Sequence, residues 1–222
     1  MFYHSLGILS SVVFMLTWYG LTRQLIKIYR RRQSNLLGTD GLSLNQFGSS
    51  FFAFYASFIV GIASADFNHY LVWTRTGALF LTLCVLYYLW QDRPSLRVRS
   101  VLYGSTACFI AGFIAMSFRP LPAYIIHNTD IIVVVITLVL LQGTIAQIRM
   151  LYRNQEVGAL SFSLLHSILL KDVTTLAFLF TLPIATAWPL ILLNGSSIVS
   201  RGILLLLMRR KQRLANNSSL MH

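Results

Sequence analysis

The chain has 222 residues, of which 56% are apolar and only 11% are charged, and its mean hydropathy is +0.67. A soluble domain of this length carries about a quarter charged residues because its surface meets water, so this composition indicates an integral membrane protein instead. Eighteen Lys and Arg against six Asp and Glu give a net charge of +12, which in a soluble chain would suggest nucleic-acid binding. In a membrane protein the same excess marks cytoplasmic loops.

Seven apolar stretches are long enough to cross a bilayer, whose hydrocarbon core needs about 20 helical residues. They are predicted at 5–22, 44–64, 70–90, 101–118, 130–147, 161–182 and 188–208. We therefore expect an all-α membrane protein in which one membrane domain takes up the whole chain. The first residues lack the basic region and the cleavage site of a signal peptide, so the first stretch is predicted to remain as a helix.

Most of the basic residues follow the first, third, fifth and seventh stretches, and so fall on one side of the membrane. They are Arg23, Lys27, Arg30, Arg31, Arg32, Arg93, Arg97, Arg99, Arg149, Arg153, Arg209, Arg210, Lys211 and Arg213. The opposite side is assigned only Arg119 and Arg75. The positive-inside rule then predicts a cytoplasmic C-terminus, with a tail at 214–222, and an N-terminus outside or in a lumen. This distribution accounts for the net charge with a lipid bilayer as partner and no nucleic acid.

A short motif near the end of the first stretch recurs at the end of the fifth. The matched positions are Gly20, Gln24, Tyr29 and Arg30 in the first copy and Gly143, Gln147, Tyr152 and Arg153 in the second. The offset is constant at 123 residues, and each copy precedes a Leu-Ser pair that opens the next helix, at Ser43 and at Ser161. Such self-similarity is typical of transporters built from duplicated helix sets.

The duplication predicts two parallel three-helix repeats, at 1–90 and 125–213. A linker at 91–124 contains the fourth helix, which inverts the chain so that both repeats have the same orientation (3+1+3). A substrate site is then expected between the repeats near mid-membrane.

These motifs and this plan resemble the PQ-loop and SWEET superfamily, which includes cystinosin and the lysosomal or vacuolar cationic amino-acid exporters. The resemblance implies amino acids or sugars as solutes and fits either a bacterial inner membrane or an endolysosomal membrane. In that family a proline precedes the motif glutamine and serves as a hinge, whereas Arg23 and Ala146 occupy that place here. Gly20 and Gly143 either loosen their helices instead or let two helices approach closely.

Few ionisable side chains are left at membrane depth, where charge is costly and therefore suggests function. Lys171 and Asp172 lie about 15 Å from the basic end of the sixth stretch, and Arg201 lies roughly 12 Å from that of the seventh. Asp172 is predicted to neutralise Arg201 or Lys171, leaving one excess positive charge towards a central cavity. A buried ion pair that only fixes helix packing is the alternative.

Polar residues at helical spacing extend this candidate site along both helices. They are Ser167 with Thr174 or Thr175 on the sixth stretch, and Asn194 and Ser197 on the seventh.

The excess cation favours a carboxylate-bearing solute such as an amino or organic acid, with sugars as the other solute class. Asp172 is a candidate for proton coupling, because solvation and charge pairing change the proton affinity of a carboxylate. The sequence lacks hydrolase, phosphate-loop and metal-site motifs, so we expect a transporter and neither an enzyme nor a metal or cofactor site. A seven-helix receptor or sorting protein that binds a peptide or small ligand without moving it is the alternative function.

Overall fold

The computed structural model describes residues 2–64, 67–121, 123–153 and 159–219. Its helices are α1 Phe2–Gln33, α2 Leu44–Ala63, α3 His69–Asp92, α4 Leu96–Ser117, α5 Ala123–Arg153, α6 Phe162–Leu179 and α7 Ile184–Ser219. Over the described residues, seven helices are long and apolar enough to cross a membrane. The predicted all-α fold and multi-pass membrane character are therefore confirmed, although α1, α5 and α7 run further at their basic ends than the apolar stretches do.

The Leu-Ser pairs mark helix starts because the serine side chain caps the helix. The Ser43 hydroxyl accepts a hydrogen bond from Gln46 N at the start of α2, and the Ser161 hydroxyl accepts one from Leu164 N at the start of α6. Both bonds satisfy a backbone N–H that has no partner within its helix. These caps hold α2 and α6 at the ends where α1 and α5 terminate.

Six of the helices form a closed ring in the order α1, α3, α2, α5, α7 and α6, each packed chiefly against its two neighbours. The α1–α6 and α2–α5 interfaces join the first half of the ring, α1–α3, to the second half, α5–α7. Helix α4 lies outside the ring against α2 and α3. Inward-facing side chains from six helices therefore meet around one axis.

Apolar side chains close the ring above and below its middle. Towards the basic face, where α1 and α3 end and α2 and α6 begin, Phe47, Leu164 and Leu204 are buried and leave a cavity of only about 20 Å³ between them and their neighbours. Towards the opposite face a second cluster includes Leu71 and Leu179. The outward surface is apolar as well, which is the pattern of helices surrounded by lipid.

Candidate functional site

The motif glutamine of α1 forms hydrogen bonds with the turn that leads into α6, on the other half of the ring. The Gln24 amide nitrogen donates a 2.8 Å hydrogen bond to the Ala159 carbonyl, and its amide oxygen accepts a 2.8 Å bond from Ser161 N. Gln24 is fully buried. One side chain thus satisfies a donor and an acceptor of the turn that leads into α6.

The motif glutamine of α5 makes the equivalent contact with the start of α2. Gln147 donates a 2.8 Å bond to the Gly41 carbonyl and accepts a 2.8 Å bond from Ser43 N. The two turns also meet directly, since Ala159 N donates to the Asp40 carbonyl at 2.8 Å. We refer to these two sets of bonds as the glutamine clamps; together they tie the halves of the ring at the basic face.

The motif glycines lie where α1 meets α6 and where α5 meets α2. A Cβ built on Gly20 would lie 2.9 Å from Leu164 Cα, and one built on Gly143 would lie 2.6 Å from the Asn45 carbonyl oxygen. Both distances are too short for a real side chain. The two glycines therefore permit close helix approach, which is one of the two roles open from the sequence.

The centre of the ring contains the Asp172 carboxylate, whose side chain is 1% exposed. The Lys171 ammonium forms an ion pair with its Oδ1. Ser197 of α7 donates a 2.6 Å hydrogen bond to Oδ2, and Nη1 of Arg201 lies 4.0 Å from the same oxygen. Both cations that the sequence offers as partners therefore surround this carboxylate.

Arg201 reaches across the ring from α7 to α2. Its Nη2 donates a 3.0 Å hydrogen bond to the Ser50 hydroxyl, which in turn donates to the Gln46 carbonyl at 2.7 Å. The guanidinium Nε is buried and has no hydrogen-bond partner among the described residues. Because a buried N–H without a partner is costly, this atom is a donor available to a ligand.

Lys171 is held over two aromatic rings. Its ammonium lies 5.5 Å from the centroid of Phe14 on α1 and 5.7 Å from that of Phe54 on α2. Aromatic faces attract a cation through their quadrupole, and the attraction grows where water is excluded. The charged groups of α6 are thereby fixed between α1, α2 and α7.

Arg75 was assigned from the sequence to the side opposite the basic face, as a residue in the first turns of the third helix; the structure places its side chain inside the ring and not at that surface. Its side chain turns into the ring, where the residue is only 2% exposed. The guanidinium carbon lies 4.2 Å from the centroid of Phe14, and Nη1 donates to Thr74 Oγ1 at 2.8 Å. Six residues of α3 precede Arg75, which therefore lies about 9 Å into the helix. This depth is the signal in the sequence that the assignment to the surface missed.

A small cavity lies beside Asp172. It is lined by charged and polar groups, including Asn194, Ser197 and Arg201, and by Phe54 and Leu140 on the facing helices. Its volume is about 10 Å³, close to the room that one water molecule requires. The charged centre is therefore enclosed in this conformation.

The remaining predicted site residues divide between the cavity and the helix interfaces. Asn194 lines the cavity while its amide donates to the Leu190 carbonyl of its own helix at 2.8 Å. Ser167 lies in the α1–α6 interface beside Gly20 and donates to the Leu164 carbonyl. Thr175 is buried, with its hydroxyl 3.2 Å from that of Ser10 on α1. Thr174 bonds only to the backbone of α6.

Comparisons with protein-family models, with curated proteins and with solved structures find no match to this chain. Its function is therefore inferred from the arrangement of the side chains described above.

Proposed function

We propose that this chain is a membrane carrier of the PQ-loop and SWEET type, which moves a small carboxylate-bearing solute by alternating access. Its two halves, α1–α3 and α5–α7, act as parallel repeats joined by the inverting helix α4. The basic face lies in the cytoplasm, as the positive-inside rule requires. The observation that carries the proposal is a buried cluster of cations around one carboxylate on the axis of the ring.

The glutamine clamps support the duplicated plan. Residues bonded by Gln24 and Gln147 correspond with a constant offset of 118, since Ala159 and Ser161 match Gly41 and Ser43. Each half of the ring holds the helix start of the other half. The two halves are bonded to each other at one face and enclose a polar centre. This arrangement suits alternating access in which one half moves as a rigid body against the other.

The enclosed centre fits an occluded state of such a carrier. Clamps and leucines close the basic face, and the cluster around Leu71 and Leu179 closes the opposite one. A cavity of about 10 Å³ holds no solute, so binding requires one side to open. Release of both clamps is the proposed first step in opening the basic face.

Asp172 is the proposed proton carrier. Within the described residues it is the one carboxylate at the centre, and the charged groups facing it are Lys171 on its own helix, Arg201 on α7 and Arg75 on α3. Opening to either side exchanges these partners for water. Proton uptake from one side and release to the other would follow from that change in surroundings.

The test is solute uptake by the purified full-length protein in liposomes. We expect accumulation of labelled succinate or alanine when a pH gradient is imposed, little movement of labelled glucose, and no accumulation in protein-free liposomes. Arg201→Gln should abolish uptake, whereas Arg23→Gln, an equal loss of charge at an exposed position, should leave it unchanged.

The outcome separates the carrier from its rival. Saturable binding of these solutes without any movement across the membrane would contradict the carrier and favour the receptor. Absence of both binding and uptake for every carboxylate tested would refute the proposed solute class.

A further inference from the structure

We infer that the basic end of α7 binds an anionic glycerophospholipid, with Arg210 and Arg213 holding its phosphate and the neighbouring leucines contacting its acyl chains. This inference goes beyond the proposed function and does not depend on transport. Its basis is a pair of grooves that share Arg210, at the level where the apolar part of α7 ends.

The two grooves lie on adjacent faces of α7. The first, of about 330 Å³, lies where α7 packs against the end of α5 and is lined by Leu151, Tyr152, Leu207, Arg210 and Lys211. The second, of about 360 Å³, is lined by Leu206, Arg209, Arg210 and Arg213. Each groove therefore offers an apolar wall beside a cationic side chain, and Arg210 lies between them. A glycerophospholipid has the matching form, because its two acyl chains meet near one phosphate.

The outward face of α7 changes from apolar to basic along one line. Val199, Ile203 and Leu206 are exposed and lie about one helical turn apart, and Arg210 and Arg213 continue the same spacing. The apolar run ends two residues before Arg210, so the two arginines lie about 3 Å and about 7.5 Å beyond it. The headgroup layer on each side of a bilayer is about 5–7.5 Å thick. Acyl chains along α7 would therefore place the phosphate level with the arginines.

The protein itself does not neutralise these two arginines. At the basic end of the first half, two arginines of α1 pair with aspartates at 3.4 Å each. Within the described part of the chain, no acidic side chain lies within ion-pair distance of Arg210 or Arg213. Arg209 beside them donates a 2.6 Å hydrogen bond to Nε2 of His166 on α6. Arg210 and Arg213 are thus exposed donors for a phosphate, which guanidinium groups bind through charge-assisted hydrogen bonds.

The combination of charge and apolar surface favours one class of ligand. Inorganic phosphate would bind the guanidinium groups but bury no apolar surface in the grooves, and a fatty acid has a chain for only one of them. Phosphatidylcholine has two chains, but the arginines repel its choline group. An anionic glycerophospholipid uses the arginines and both grooves, so its binding gains from charge pairing and from apolar burial together.

The test counts the lipids retained by the purified full-length protein. We would measure binding of phosphatidylglycerol and phosphatidylcholine with identical acyl chains by native mass spectrometry, at constant pH and ionic strength. The first phosphatidylglycerol is expected to bind at least about tenfold more tightly than the first phosphatidylcholine, which corresponds to about 1.4 kcal/mol. Inorganic phosphate and oleate, each at the same concentration as the lipid, should not displace it.

Variants then locate the site. Arg210→Gln combined with Arg213→Gln should abolish the preference for phosphatidylglycerol, and the double lysine variant should retain part of it because the charge is kept. The matched control is Arg30→Gln combined with Arg97→Gln, which removes the same charge from exposed positions outside the grooves and should leave the preference unchanged. Circular dichroism and gel filtration show whether each variant is folded; should the glutamine variant fail to fold, the wild-type and lysine-variant preferences decide the question.

Each contrary result overturns the lipid site in a different way. Equal retention of the two lipids would exclude recognition of the anionic headgroup. Equal losses in the glutamine variant and in its control would show a diffuse attraction to the whole basic face. Displacement by inorganic phosphate or by oleate would assign the arginines to a free anion or to a single-chain lipid. None of these results concerns solute uptake, so the carrier proposal is tested separately.

Discussion

The glutamine clamps and the charged centre differ in their symmetry. At the basic face, Gln24 and Gln147 make the same two hydrogen bonds to equivalent turns, with equal lengths. Ten residues further along α2 and α6 the equivalence ends. The offset of 118 that relates Ser43 to Ser161 places Ala53 and Phe54 where α6 has Lys171 and Asp172.

The duplicated part of the ring is therefore distinct from the charged centre. Each motif occurs twice, because both halves of the ring have an equivalent helix start to which a glutamine binds. The charged groups occur once, so the centre is asymmetric: α6 and α7 supply Asp172, Lys171 and Arg201, whereas α1 and α2 supply the aromatic rings of Phe14 and Phe54. Equivalent substitutions in the two motif copies should therefore have similar effects on stability. A substitution in the charged centre should have an effect that no equivalent position reproduces.

The largest effect is expected for Asp172→Asn. Loss of this carboxylate leaves three buried cations without an anion, and breaking a buried ion pair costs about 3–5 kcal/mol of unfolding free energy. Uptake driven by a pH gradient should also be lost. Denaturant unfolding of the purified protein and uptake by liposomes measure the two effects.

The matched control for that variant is Asp40→Asn. Asp40 pairs with Arg31 at 3.4 Å, but its side chain is 50% exposed, so the loss should be within about 1 kcal/mol. Wild-type accumulation by Asp172→Asn would show that this residue does not couple transport to protons.

Gln24→Leu and Gln147→Leu should destabilise the protein by similar amounts. Each variant leaves a buried N–H and a buried carbonyl of the clasped turn without their partner, at a cost of about 1–3 kcal/mol for each group. Unfolding midpoints in denaturant would measure both. Gln33→Leu is the control, because Gln33 is exposed and bonds only the Tyr29 hydroxyl. A large loss for one clamp and none for the other would contradict their equivalence.

Gly20→Ala and Gly143→Ala should each cost about 1–3 kcal/mol, because the added methyl group overpacks a helix interface. Gly104→Ala and Gly195→Ala are matched controls on α4 and α7, where an added Cβ meets nothing within 4 Å. In those helices alanine should be neutral or slightly stabilising. Thermal unfolding of the four variants makes the comparison, and equal effects at all four positions would contradict the close approach.

The smallest effect is expected for Thr175→Val, which removes the hydroxyl that faces Ser10 across the α1–α6 interface. A hydrogen bond of this kind contributes about 1 kcal/mol. Thr174→Val serves as the control, since the Thr174 hydroxyl bonds only the backbone of its own helix. Denaturant unfolding of the two variants should rank Thr175→Val as the less stable, and the reverse order would contradict a stabilising role for this contact.

Features encoded locally along the chain could be predicted from the sequence. The seven spans follow from the length of apolar stretches, and the capped starts of α2 and α6 follow from serine at the right position. The position of Lys171 and Asp172 near the middle of α6 follows from counting residues at 1.5 Å each. None of these depends on what lies opposite in the folded protein.

The partners of these residues were decided only by tertiary structure. Gln24 lies 19 residues before Ser43, yet it bonds Ser161 on the other half of the ring. Helical spacing placed Ser167 in the stripe of Lys171, but the close approach of α1 at Gly20 makes it an interface residue. The sequence predicts Arg75 as a charge near the membrane surface, whereas in the folded protein its guanidinium packs on the ring of Phe14 from another helix. Periodicity specifies which residues share a helix face, whereas the rotation and the neighbour of that face are set by packing between segments far apart in the chain.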